Sequence, residues 1–280
     1  MFVRDACVSI VLCGVGMSRP IITLITDFRQ GSYVGSMKGA ILDVHPESSI
    51  IDITHEVKSY DVQEAAFTLR CAYPYYPSGA IHVVVVDPGV GSERRGIIVC
   101  TDKHCFIGPD NGVFSFVYLR EEVRKVIAIR SERYFRGSVS PTFHGRDIFA
   151  PVSAWMARGI PPEEFGEPVK DYVCIESLQI QKKSRDVLVG SVIHIDKFGN
   201  LITNFSPRES FNLLGEEGIP QFCVKQREIT KHYRFYEEAA PDEIFFLVGS
   251  TGYYEIAVQR QAASKILDVD RGQPVELRLL

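Results

Sequence analysis

The chain has 280 residues, 45% of them hydrophobic and 24% charged, enough apolar material for one large domain or two smaller ones and too much for a disordered chain. Its net charge of −4 comes without a basic block, which argues against nucleic acid and anionic membranes as partners. The cysteines, at 7, 13, 71, 100, 105, 174 and 223, are scattered, odd in number and without a CxxC pair, so they read as free thiols of a reducing cytoplasm.

Residues 1–19 stand apart. Ala6 to Gly16 is an apolar run too short to span a bilayer, and Asp5 spoils the basic start of a secretory signal. Met17 lies just before the first convincing strand, so this segment reads as an extension outside the fold, translated from an upstream start codon.

Apolar runs then predict buried strands at Ile21–Ile25, Ile50–Ile53, Ile81–Val86, Ile97–Cys100 and Val126–Ile129. Between the first two, Tyr33 to Val44 places Val34, Met37, Ile41 and Val44 on one helical face and halts before Pro46. Asp61 opens a second helix, with Glu64 three residues on as in a capping box. A third starts near Asp147 and stops at Gly159. Strands alternating with helices predict an α/β domain over 20–165, with a mainly parallel sheet and helices on both faces. Cys100, His104 and Cys105 have the residue types of a metal site but lack a second ligand pair; buried strand cysteines are the better reading.

Residues 166–186, within an irregular stretch from Ile160 that holds three prolines and a charged KKSRD, read as a linker. From Val187 the pattern changes. GSVIHIDKFGNLITNF predicts strand, turn and strand, and EIFFLVG, YYEIAVQ and PVELRLL are also strand-like. Residues 187–280 are therefore expected to form a smaller C-terminal antiparallel β domain.

Polar residues that this architecture does not need gather in a few places. AIHVVVVDPGVGSERRG, residues 80–96, runs four valines into Asp87, a tight turn and two arginines. In parallel sheets ligands sit beyond the carboxyl ends of the strands, so Asp27 and Asp87 point to one edge. A Gly-rich DPGVG loop also suits a phosphate, but the lysine and Ser/Thr of a P-loop are absent. His45, His82, His194 and His232 read as structural, and His55, at a strand end in DITHEV, stays open.

Taken together, TDFRQGSYVG (26–35), DPGVGSERR (87–95), PDNG (109–112), TFHGRD (142–147), DKFGN (196–200) and GSTGYYEIAV (249–258) resemble the S-adenosyl-L-methionine hydroxide adenosyltransferases, hydrolytic relatives of fluorinase and chlorinase. The resemblance implies that water cleaves S-adenosyl-L-methionine to adenosine and L-methionine, attacking the ribose 5′-carbon, with no metal and no added cofactor. It implies Asp87, Arg94 and His144 as the catalytic set. It implies substrate contacts from Asp27 to the ribose hydroxyls, Asp196 to the methionine ammonium and Asn200 to an adenine edge, with Phe198, Ser250, Glu255 and Val258 completing the pocket. A homotrimer with each site between two subunits is implied as well. One departure is Arg29, which stands where the family usually has glycine. Two alternatives remain: a halogenase on the same substrate, and a binding module without turnover. Where the halogenating relatives carry a hydroxyl side chain, this chain has His144 and Gly145, which suits water better than a halide.

Overall fold

The computed structural model describes residues 19–214 and 219–279; the expected N-terminal extension lies, but for its last residue, outside them. The chain divides into two compact units, one ending at Cys174 and one starting at Ile175.

The first unit contains strands β1 (Ile21–Thr26), β2 (Ser49–Thr54), β3 (Ile81–Val85), β4 (Gly96–Cys100), β5 (Cys105–Pro109), β6 (Lys125–Ile129) and β7 (Gly166–Pro168). Its helices are α1 (Ser32–Val44), α2 (Val62–Ala72), α3 (Ser115–Arg120) and α4 (Ala150–Ala157). The α/β class is as expected. The sheet itself is mixed, in the order β2-β1-β3-β5-β4-β6-β7. β2, β1, β3 and β5 are mutually parallel, whereas β4, β6 and β7 add antiparallel pairings. Strand β5 has no counterpart in the sequence reading, because Gly108 and Pro109 interrupt its apolar run. Strand β7 falls inside the segment expected as a linker.

Period-two alternation sorts the side chains onto two faces. Ile22 and Leu24 of β1 with Ile81, Val83 and Val85 of β3 pack against α1 and α4. Ile25, Val84 and Val86 point the other way, toward α2 and α3. Helices thus cover both faces, as buried parallel strands require. Helix α1 buries Val34, Met37 and Ile41 as its spacing predicted, with Ala40 beside them, while Val44 is only half-buried. Asp61 caps α2 by accepting from Glu64 N at 2.9 Å, while the Glu64 carboxylate reaches Lys58 N instead of closing the box on Asp61. The helix expected from near Asp147 to Gly159 begins with a π-helical turn, Gly145–Phe149, that runs into α4, whereas α3 was not expected from the sequence.

The second unit holds β8 (Gln181–Lys182), β9 (Val187–Ile195), β10 (Leu201–Thr203), β11 (Pro220–Val224), β12 (Arg227–Ile229), β13 (Ile244–Val248), β14 (Tyr254–Val258) and β15 (Pro274–Leu279), with short helices α5 (Pro207–Leu214) and α6 (Ala263–Ile266). They form one antiparallel sheet, β12-β11-β15-β9-β10-β14-β13, with β8 added on β9. Its core gathers Leu188, Phe205, Phe222, Phe246, Ile256 and Leu277.

Candidate active site

The four parallel strands end on the same edge of the first sheet. Asp27 follows β1, His55 follows β2, Asp87 lies just beyond β3, and Asp110 follows β5. After Val86 the chain folds back in two tight turns, with Val90 N bonded to Asp87 O at 3.2 Å and Ser92 N to Gly89 O at 3.1 Å. Gly91 takes φ +79°, and a β-carbon there would lie 2.3 Å from the Pro141 carbonyl oxygen. Only glycine fits both the backbone and the contact. The two turns bring Arg94 back over Asp87, seven residues earlier.

The contact is bidentate: Arg94 Nε donates to Asp87 Oδ1 at 3.0 Å, and a terminal nitrogen donates to Oδ2. Both side chains are largely buried, which strengthens such a pair and makes breaking it costly. The same terminal nitrogen lies 2.8 Å from His144 Nδ1. Guanidinium can only donate, so Nδ1 is the unprotonated nitrogen and the neutral ring carries its hydrogen on Nε2. Burial, reinforced by the Arg94 charge, holds the His144 pKa below the ordinary imidazole value. The three residues expected as the catalytic set thus converge from two distant loops.

The His144 loop is braced from behind. Asp147, on the π turn, accepts two bonds from Arg146, at 2.6 and 2.8 Å, and one from Ser140 N at 2.9 Å. π turns recur at functional sites because the extra residue re-aims side chains. Phe143 packs edge-on against Phe28 and Tyr33, with centroids 5.7 and 5.3 Å away, tying the loop after β1 to the histidine loop. The sequence reading missed this aromatic cluster. Its signal was the aromatic following a polar residue in each of TDF, SY and TF.

Arg95 has a different task. It donates twice to buried Asp110, at 3.0 and 2.7 Å, and reaches Asp171 through both its side chain and its carbonyl. Neighbouring arginines therefore face opposite duties, one at the loop centre and one fastening residues 171–173 to the sheet.

Asp27 accepts from Tyr60 N at 2.9 Å through Oδ2, and no donor among the described residues reaches Oδ1. Arg29 adopts φ +57°. The loop keeps the left-handed conformation that glycine favours, with an exposed arginine in it.

In the second unit, Asp196 organises the DKFGN turn. Its Oδ1 accepts from Phe198 N and Asn200 N, both at 2.9 Å, and its Oδ2 from Asn200 Nδ2 at 3.0 Å. Phe198 is 66% exposed. Glu255 on β14, in register with Ile202 of β10, is buried, and burial raises its carboxyl pKa. Tyr236 donates to it at 2.8 Å, a partner the sequence reading did not find. A β-carbon at Gly249 would collide with the Glu255 carboxylate, which lies directly against that backbone. Ser250 is exposed in the turn before β14, whereas the Val258 side chain is packed in the core, so only its backbone could contact a ligand.

Cys100 and Cys105 face each other across the β4–β5 hairpin, buried, with sulfurs 3.1 Å apart. His104 turns away toward His82. No group of three or more His, Cys, Asp or Glu arranged to hold a metal occurs among the described residues. Among these residues no helix is long and apolar enough to cross a membrane.

Residues 22–166 match the family model of the SAM hydroxide adenosyltransferase N-terminal domain, and residues 190–276 match that of the C-terminal domain. The (R)-S-adenosyl-L-methionine hydrolase of Methanocaldococcus jannaschii is 36% identical, over 92% of this chain and 95% of that protein. The enzyme of the same name from Thermus thermophilus is 32% identical, over 92% and 99%. Fluorinase of Nocardia brasiliensis is more distant, 27% identical over 66% of this chain and 71% of its own length. Among solved structures, an uncharacterized conserved protein from Thermotoga maritima superimposes with a TM-score of 0.81 at 32% identity, covering 92% of this chain and 99% of that one.

Proposed function

The chain belongs to the SAM hydroxide adenosyltransferase family, and on that premise we propose that it is an enzyme hydrolysing S-adenosyl-L-methionine to adenosine and L-methionine. The observation that carries the reading is the single guanidinium shared by Asp87 and His144 at the carboxyl edge of the sheet.

The sulfonium of the substrate is a good leaving group and needs no acid. What the reaction lacks is a nucleophile, in line with the carbon–sulfur bond at the ribose 5′-carbon. Water supplies it once a proton is drawn off and the developing negative charge is held. The Arg94 charge favours the hydroxide, and the neutral His144 ring, with its hydrogen on Nε2, orients the oxygen by donating to it. The Asp87 carboxylate retains lone pairs beyond the two that Arg94 uses, which makes it the better proton acceptor of the pair. Water oxygen becomes the adenosine 5′-hydroxyl, and the sulfur of methionine leaves with the bonding electrons. Asp27 would receive the ribose hydroxyls through its open Oδ1, a role that suits a carboxylate.

Asp196, Phe198, Asn200, Ser250, Glu255 and the Val258 backbone would supply the contacts of the second unit. We further read the working form as a cytoplasmic homotrimer in which one subunit's β domain completes the next subunit's site, without added cofactor. The exposed Phe198 on the second unit supports this. Domain limits of 20–165 and 187–280 go with it.

Incubating the protein with S-adenosyl-L-methionine and chromatographing the nucleoside product tests the reading. Adenosine, released with methionine in equal amount, is expected. An unconsumed substrate that nonetheless binds would leave only a binding module. Mass measurement in solution tests the trimer, which an active monomer would exclude.

A further inference from the structure

We propose that His55, joined to Thr26 and Asp52, is the positioning residue that fixes the Asp27 loop; the proposal rests on the ribose-binding role given to Asp27 above. His55 is 1% exposed and takes no part in the chemistry just described. Its Nδ1 lies 2.9 Å from Thr26 Oγ1, and its Nε2 lies 3.0 Å from Asp52 Oδ1, a close polar contact short of an aligned hydrogen bond. Asp52 is held in turn by Lys38 of α1, at 2.6 Å.

The directions of these bonds follow from the donors available. Phe28 N donates to Thr26 Oγ1 at 3.2 Å, so the Thr26 hydroxyl is free to give its own hydrogen to His55 Nδ1. That leaves the ring hydrogen on Nε2, facing the Asp52 carboxylate. From the other side, the His55 carbonyl accepts from Arg29 N at 2.7 Å. Histidine and threonine together therefore hold the amides of Phe28 and Arg29, the two residues that follow Asp27.

The loop needs holding. Arg29 sits at φ +57° and Tyr60, whose amide binds Asp27, at φ +68°, conformations that non-glycine residues adopt only when their surroundings over-determine them. Thr26 is fully buried and His55 nearly so, so water cannot replace either bond. A residue bonded through its ring Nδ1 and its backbone carbonyl, with Nε2 set against Asp52, converts the end of β2 into a brace for the end of β1.

Two readouts on the full chain test this. Amide hydrogen exchange at Phe28 and Arg29 requires no substrate; in His55→Ala and Thr26→Val it should quicken at least tenfold over wild type while the amides of β3 stay protected. In kinetics with S-adenosyl-L-methionine, both variants should raise KM roughly tenfold, the scale of one buried hydrogen bond, with kcat held within about threefold. His55→Asn retains an acceptor near Nδ1, and Thr26→Ser retains the hydroxyl; both should recover most of the loss. Unchanged exchange at Phe28 and Arg29 overturns the proposal, as does a fall in kcat at constant KM, the mark of a smaller folded fraction. If His55→Ala does not fold, the Thr26→Val and Thr26→Ser pair decides alone. Should wild type turn over no substrate, the functional reading falls, and exchange still decides whether His55 braces the loop.

Discussion

Arg94 donates to His144 Nδ1 from the same nitrogen that pairs with Asp87, so one guanidinium sets the ring's tautomer and anchors the carboxylate together. Its neighbour Arg95 shares none of these contacts and instead neutralises buried Asp110. The two side chains leave the backbone in succession, as they would from an extended segment, and that alternation separates their roles.

Arg94→Ala is therefore expected to lower kcat roughly 10²–10⁴-fold, the scale of a lost acid–base or charge-stabilising group, while the protein remains folded. Arg95→Ala should act on stability, because it strands the Asp110 carboxylate in the interior, a loss on the order of 3–5 kcal/mol. Steady-state kinetics and urea unfolding on both variants check the split. The opposite pattern would mean that Arg95 serves the chemistry.

Arg29→Gly should stabilise the protein by about 0.5–1 kcal/mol, since the residue holds a left-handed conformation that costs an L side chain roughly 1–2 kcal/mol, and glycine's greater freedom in the unfolded chain takes back part of the gain. Chemical denaturation measures it. A loss of stability would show that the exposed arginine makes contacts that outweigh the strain.

Much of this was legible in the sequence where one physical rule dominated. The face of α1, the Asp61 cap and the turn at DPGVG follow from spacing, a side-chain acceptor and a required glycine, all local properties. Strand β5 was not, because CFIGP mixes breakers into five buried residues, and pairing to β3 and β4 from both sides overrides that weak local preference. At the site, motif order pointed to Asp87, Arg94 and His144, yet the different fate of Arg95 depends on Asp110 and Asp171, fifteen and 76 residues away. Long-range partners of this kind leave no periodic trace. The partnership of Tyr236 with Glu255 is another such case.

Stability should fall with pH in a window set by buried histidines. Burial pushes the His82 pKa down to about 3, with the His104 ring adding to it, and burial lowers that of His104 too. The folded protein keeps these rings neutral, whereas the unfolded chain takes up protons near pH 6.5. Their contribution is complete above that value and is lost as pH drops toward the folded pKa, by about 1.4 kcal/mol per pH unit for His82. Urea midpoints between pH 7.5 and 5 read the slope before the carboxylates titrate. His82→Asn, which retains a partner for Thr23, should flatten it by about that amount; an unaltered slope would place the sensitivity in other groups, His144 among them.

The expected preference for water over halide rests on His144 and Gly145, which stand where the halogenating relatives carry a hydroxyl side chain. A halide entering the site must shed its hydration, and fixed donors must replace what it loses. A serine in place of Gly145 would be the obvious donor, but a β-carbon built on Gly145 lies 3.1 Å from Val85 Cγ1 and 3.3 Å from Met37 Sδ, inside the apolar core beneath α1. The hydroxyl would start among apolar neighbours. Gly145→Ala should then cost about 1–3 kcal/mol through crowding, and Gly145→Ser at least as much, since its hydroxyl adds an unpaired polar group. Neither variant should form 5′-halogenated adenosine in excess chloride or fluoride. Wild type in isotopically labelled water should give adenosine carrying the label at its 5′-oxygen as the sole nucleoside product. Halogenated nucleoside from wild type, or adenosine without the label, would falsify attack by water at the 5′-carbon.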